Sequence, residues 1–178
     1  TGCNDQAEEY SRRGLELTQE IGERSGQGHS WANLGRALLA LGDPAGAQEA
    51  FQHSLVLRQE MGQQNFMVES LAGLAEAALA KEEFAAALDY CEKMMNYLLH
   101  KTFDNTGGIF YAYLVACRIL LKLEDPNAVG MVRMAYGLLQ AQARGIKDDY
   151  LRQSFLENVA DHREIVQLWA QYGQKDAV

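Results

Sequence analysis

Side chains capable of chemistry are scattered along this chain rather than gathered. His29, His53, His100 and His162 are dispersed, and none lies three or four residues from another, the spacing that would put a pair of metal ligands on one helix face. Cys3, Cys91 and Cys117 are odd in number and contain no CxxC pair, which leaves neither a disulfide framework nor a zinc site. Cys91 and Cys117 are expected to be reduced thiols in a core. Ser11, Ser30, Ser54 and Ser70 lack a GxSxG setting, and neither GxxxxGK[ST] nor GxGxxG occurs. Glu82 and Glu83 fall near the start of a helix, where negative charge relieves the dipole. Met94, Met95, Met131 and Met134 suit the irregular gaps between packed helices. The expectation is a protein that is not an enzyme, with no cofactor and no metal.

Charge and composition narrow the partners. Sixteen Lys and Arg against twenty-four Asp and Glu leave a net charge of -8, which repels nucleic-acid phosphates and anionic lipid. The longest apolar stretch, Ile109 to Leu121, is interrupted by Arg118 and is shorter than the ~20 residues that span a bilayer. A cytoplasmic protein without direct nucleic-acid or membrane partners is expected. With 178 residues, 48% of them hydrophobic, the chain is read as one elongated domain over 1–178. It begins Thr-Gly-Cys, with no basic-then-apolar leader, and reads as a fragment of a longer protein.

The elements that must position these residues announce themselves by repetition. Ala7, Glu9, Leu15, Leu17, Gln19, Glu20 and Gly22 reappear forty residues later as Ala47, Glu49, Leu55, Leu57, Gln59, Glu60 and Gly62. Such an offset, closed each time by a glycine, predicts stacked helical units that bury their apolar faces on their neighbours. Trp31, Leu34, Gly35, Leu38 and Leu41 have helical spacing; Gly42 ends the run, and Asp43 and Pro44 cap and start the next helix with Ala47, Phe51, Leu55 and Val56 facing inward. A second hairpin runs through Leu71, Leu74, Ala75 and Ala78, breaks near Lys81 to Glu83, and continues through Ala87, Cys91, Met94 and Met95. A third breaks at Asp125 and Pro126. Between Leu71 and Tyr113 the offset grows to forty-two, which places a two-residue insertion in the link Thr102 to Gly108. Beyond Gly145, Asp148 and Asp161 are expected to cap two closing helices.

Trp31, Leu34, Gly35, Ala47 and Phe51 stand at the spacing of the tetratricopeptide repeat signature, and Leu71, Leu74, Ala75, Ala78 and Ala87 repeat it. Tyr113, Ala116, Cys117 and Leu120 match it more loosely. The chain over residues 5 to 144 therefore resembles the tetratricopeptide repeat (TPR) family, in a long variant of ~40 residues against the usual ~34. This resemblance implies an all-α, right-handed α-solenoid of TPR-like helix hairpins with a C-terminal capping helix pair. Its parts are a half repeat at 5–23, repeats at 28–62, 65–101 and 107–144, and capping helices at 147–173. The long period, with the stretch from Arg152 to Val159 and His162 to Ile165, also resembles the C-terminal repeat region of bacterial STAND-type ATPases and transcriptional activators. A protein–protein interaction or regulatory sensor module of such a parent follows, with a purely architectural or oligomerising solenoid as the alternative.

In that family the first helix of each hairpin lines a groove. Carried over by the signature, the groove comprises His29, Asn33, Arg36 and Leu39, then Glu69, Gly73, Glu76 and Leu79, then Tyr111, Leu114, Arg118 and Leu121. Arg36 and Arg118 would grip a carboxylate, Glu69 and Glu76 a basic group. The occupant would be a protein or peptide, or another domain of the parent chain. Tyr10, Leu15, Leu17 and Ile21 form an apolar face on the first helix that lacks its usual cover and favours self-association.

Overall fold

Helix and left-handed turn alternate through the first hundred residues with a strict beat. The computed structural model describes residues 2–100 and 108–174, without the side chains of residues 2, 3, 99 and 100. Cys3, the His100 side chain and the insertion expected between Thr102 and Gly108 therefore lie outside the described residues, save Gly108 itself. The elements are α1 (Gly2–Glu20), α2 (Arg24–Leu41), α3 (Pro44–Glu60), α4 (Gln64–Ala80), α5 (Phe84–His100), α6 (Ile109–Lys122), α7 (Ala128–Arg144), α8 (Asp149–Glu157) and α9 (Ala160–Leu168), which runs into a π-helical turn over Trp169–Gly173. The all-α class is as expected, with no strand among the described residues.

The beat is set by one hydrogen-bond motif that recurs five times among the described residues. Gly22, Gly42, Gly62, Glu82 and Glu124 all have positive φ. Each donates its N–H to the carbonyl three residues back, while the next residue donates to the carbonyl five before it, as in Gly42 to Leu39 (3.0 Å) with Asp43 to Leu38 (2.9 Å). This pairing satisfies the orphan carbonyls of a helix end and suits glycine. Glu82 and Glu124 hold the left-handed conformation with φ of 59° and 53°, at a steric cost that glycine would not incur. Glu82→Gly is therefore expected to stabilise the protein by up to about 1 kcal/mol, read as a rise in the urea midpoint at unchanged m-value.

Helix starts follow from local chemistry as well. Glu23 accepts from the Ser25 and Gly26 amides to open α2, and Asp43 accepts from Gly46 N (2.9 Å) with Pro44 as the first residue of α3. The Asp125–Pro126 pair behaves differently. Asp125 accepts from Asn127 N at 2.7 Å, so a turn intervenes and α7 starts at Ala128. Asp148 caps α8 through Leu151 N (2.9 Å) as expected, but Asp161 does not cap α9. Val159 takes that place, and Asp161 sits in the first turn, where its charge still opposes the dipole.

The chain divides into two compact units, residues 1–108 and 109–178. In the first, α1 to α5 pack in chain order, each on the next. Its core repeats at the forty-residue offset: Leu34 and Leu74 are 2% and 0% exposed, Ala47 and Ala87 both 0%. Phe51 lies in the gap between α2 and α4, where only glycines leave room for it. A Cβ on Gly35 would stand 2.8 Å from its ring, and one on Gly73 2.3 Å. In the second unit α6 packs on α7, α8 and α9 pack on each other and on α7, α9 also touches α6, and Tyr136 stacks on Trp169 with centroids 4.7 Å apart. Cys91 and Cys117 are buried, and burial followed by the Glu92 charge pushes the Cys91 thiol up to about 11, leaving it protonated and unreactive at neutral pH.

Candidate functional site

Within the first unit the two helix rows are not equivalent. The backbones of the first helices of the hairpins, α2 and α4, come within contact distance of each other, whereas among the described residues those of α3 and α5 do not. Contact on one side and separation on the other curve this unit, with α2 and α4 on the inside. On α2, Asn33 is exposed and Arg36 and Leu39 are half-buried; on α4, Glu76 and Leu79 are half-buried. Arg36 and Glu76 are register equivalents, as are Leu39 and Leu79, so consecutive helices present opposite charges and paired apolar tips along one face.

His29 and Glu69 have a different occupation. Both engage Arg58 of α3, whose side chain is completely buried. One terminal guanidinium nitrogen, Nη2, meets Glu69 Oε2 at 3.1 Å and His29 Nδ1 at 3.4 Å; the other, Nη1, donates to Ser70 Oγ (3.2 Å) and the Phe66 carbonyl. Arginine only donates, so His29 Nδ1 is the acceptor and its proton belongs on Nε2. Ser54 Oγ bridges Gly28 O (2.8 Å) and Ser70 Oγ (2.9 Å) beneath this group. Burial draws the Arg58 guanidinium below its ordinary range, opposed by the charge and hydrogen bond of Glu69, and it stays a cation at neutral pH. The network ties α2, α3 and α4 together.

Gly73, Tyr111 and Leu114 are corrections to the expected groove. Gly73 is buried under the Phe51 ring, and Tyr111 and Leu114 are 4% and 0% exposed, so none offers surface to a partner. Arg118 does grip a carboxylate, as its chemistry suggested, but from its own chain. Its Nε and Nη2 meet Glu164 Oε1 and Oε2 at 2.7 and 2.6 Å, a bidentate clamp from α6 to α9. Leu121 is half-buried near the end of α6. At the first helix, Tyr10, Leu17 and Ile21 are 67%, 60% and 74% exposed. Leu15 is not part of that face; it turns toward α2 with Gly14 and Thr18 and is 9% exposed.

Arg58 is the residue that sequence reasoning missed. Its signal was a position on the inward stripe Ala47, Phe51, Ser54, Leu55 of α3, where the forty-residue counterparts are Thr18 and Leu98. A basic side chain on a buried stripe calls for a carboxylate, and Glu69 is near enough in the hairpin order to supply it.

Stacked helix hairpins with a curved face and a large aromatic seated on facing glycines define a helical-repeat scaffold, and the comparisons agree. The tetratricopeptide repeat family model matches residues 1–60, from α1 through α3, about a third of the chain. Among solved structures, the fold is similar to a Podosopora anserina putative kinesin light chain with nearly identical TPR-like repeats, at TM-score 0.59 and 17% identity over 96% of this chain and 90% of that one. A form of that protein carrying a single substitution gives TM-score 0.60 and 17% identity over 96% and 89%. Comparison with curated proteins yields no match. No described helix is long and apolar enough to cross a membrane.

Proposed function

We propose that this chain is a protein-interaction module of a larger bacterial regulatory protein, of the signalling-ATPase or transcriptional-activator kind, acting in the cytoplasm without catalysis of its own. The repeats over 28–62 and 65–101 would supply the groove, and the observation that carries the reading is the inner face of α2 and α4. Arg36, Leu39, Glu76 and Leu79 lie there in matched positions on touching helices, a layout suited to a peptide or neighbouring domain with alternating charge and apolar contacts. Docking would shift the parent between states by binding one of them more tightly.

A photo-crosslinking amino acid at Leu39 or Leu79 of the full chain, expressed in bacterial cells of its source, tests this against a control at the exposed Glu92. A discrete protein adduct at the two leucines, weakened by Arg36→Glu and absent at the control, is expected. No adduct at either leucine overturns the reading. The architectural alternative draws on the exposed Tyr10, Leu17 and Ile21, and it would then be favoured if sedimentation shows an oligomer that Leu17→Asp dissociates.

A further inference from the structure

The separation of α3 from α5 opens a second surface, on the opposite side from α2 and α4. A cavity of about 470 Å³ lies there, within the range of specific ligand sites. Its floor is apolar: Leu55 of α3 with Met67 and Leu71 of α4, each 3–6% exposed. Tyr90 and Tyr97 of α5 form one wall, and the exposed amides of Gln52 and Gln59 on α3 form the other. Lys93 is the one charged residue among the described lining residues. A depression of about 460 Å³ shares Gln52 and prolongs the trough along α3 past Gln48, Glu49 and His53 to Lys81.

We propose that this outer trough binds a short extended peptide carrying a large apolar side chain next to an acidic one. Leu55, Met67 and Leu71 would take the apolar side chain, and the tyrosine rings would flank it with area that costs little side-chain entropy on binding. Glutamine amides donate and accept, so Gln52 and Gln59 can pair with the N–H and C=O groups of an extended backbone whatever its sequence. Charge selects the acidic neighbour. On a chain of net charge -8 the described lining residues of this cavity include a lysine and no carboxylate. The acidic side chain of the ligand therefore belongs at the Lys93 end, away from Glu49. Lys93 is paired with Asp89 at 2.7 Å and sits over the Tyr90 ring at 5.6 Å. That pair lies in solvent, both side chains being more than half exposed, so exchanging it for a ligand carboxylate costs little. The trough is independent of the inner face, which Arg36 serves.

Selection of a random phage-displayed peptide library on the full chain tests the proposal. The enriched sequences should share an aromatic residue, leucine or methionine beside Asp or Glu. A fluorescein-labelled peptide of that consensus should lose affinity at least tenfold with Lys93→Glu and with Gln52→Arg, both surface changes. It should bind Arg36→Glu unchanged. Basic consensus sequences, absence of enrichment, or binding lost with Arg36→Glu and retained with Lys93→Glu would each overturn the proposal, the last by returning the ligand to the inner face. Concentration-dependent dimerisation abolished by Lys93→Glu would make a second copy the occupant and refute the peptide.

Discussion

Gly73→Ala is expected to destabilise the first unit by about 3 kcal/mol, the upper end of what overpacking a core costs. Helix propensity alone argues the other way, because alanine in a helix interior gains roughly 1 kcal/mol over glycine. The steric effect wins here. A Cβ at this position would lie 2.3 Å from Cε1 and Cζ of Phe51, a ring that is 0% exposed and faces Gly35 across the gap. No flexible chain end can yield. Gly137→Ala on α7 supplies the control, since nothing lies within 4 Å of a Cβ there, and it should be neutral or slightly stabilising. Combining Gly73→Ala with Phe51→Leu should recover part of the loss, and a double-mutant cycle by urea unfolding would register the coupling. Equal effects at Gly73 and Gly137 would remove Phe51 from the role assigned to it.

The second large effect concerns the buried cation. Glu69→Ala leaves Arg58 charged and without its carboxylate in a site of 0% exposure, and a loss of about 3–5 kcal/mol is expected. Arg58→Met removes the charge itself and fills similar volume. It should cost clearly less, despite taking a donor from the Phe66 carbonyl and Ser70. The double variant Arg58→Met, Glu69→Ala should then resemble Arg58→Met alone, because the penalty of the carboxylate deletion exists only while the guanidinium is present. Thermal and urea unfolding of the three variants read this order directly. If Glu69→Ala proves the mildest of them, the ion pair does not tie the hairpins together.

These two sites mark where the sequence was and was not readable. Helix ends were legible at Gly22, Gly42 and Gly62 because glycine advertises a left-handed turn, and the paired offset of Ala47 with Ala87 disclosed the stack. Glu82 and Glu124 make the same turn without the advertisement. Asp43–Pro44 and Asp125–Pro126 looked alike, yet one Asp side chain reaches an amide three residues on and the other only two, a difference of backbone path that composition does not encode. Leu15 lies off the exposed face of α1, which the sequence does not reveal because a lone helix offers several apolar stripes until its neighbour is placed. Among the groove candidates, Arg36, Leu39, Glu76 and Leu79 are at the surface. His29 and Glu69 turned to Arg58, and Arg118 to Glu164, because a polar side chain near a packed interface takes whichever opposite charge the fold delivers first.

The uneven spacing of the two helix rows has a mechanical corollary. With α2 against α4 and the backbones of α3 and α5 apart, any straightening of the first unit would have to bring α3 toward α5. Whatever wedges itself between that outer pair acts as a strut, blocking the straightened form and freezing the bend that the inner row presents to its own visitor.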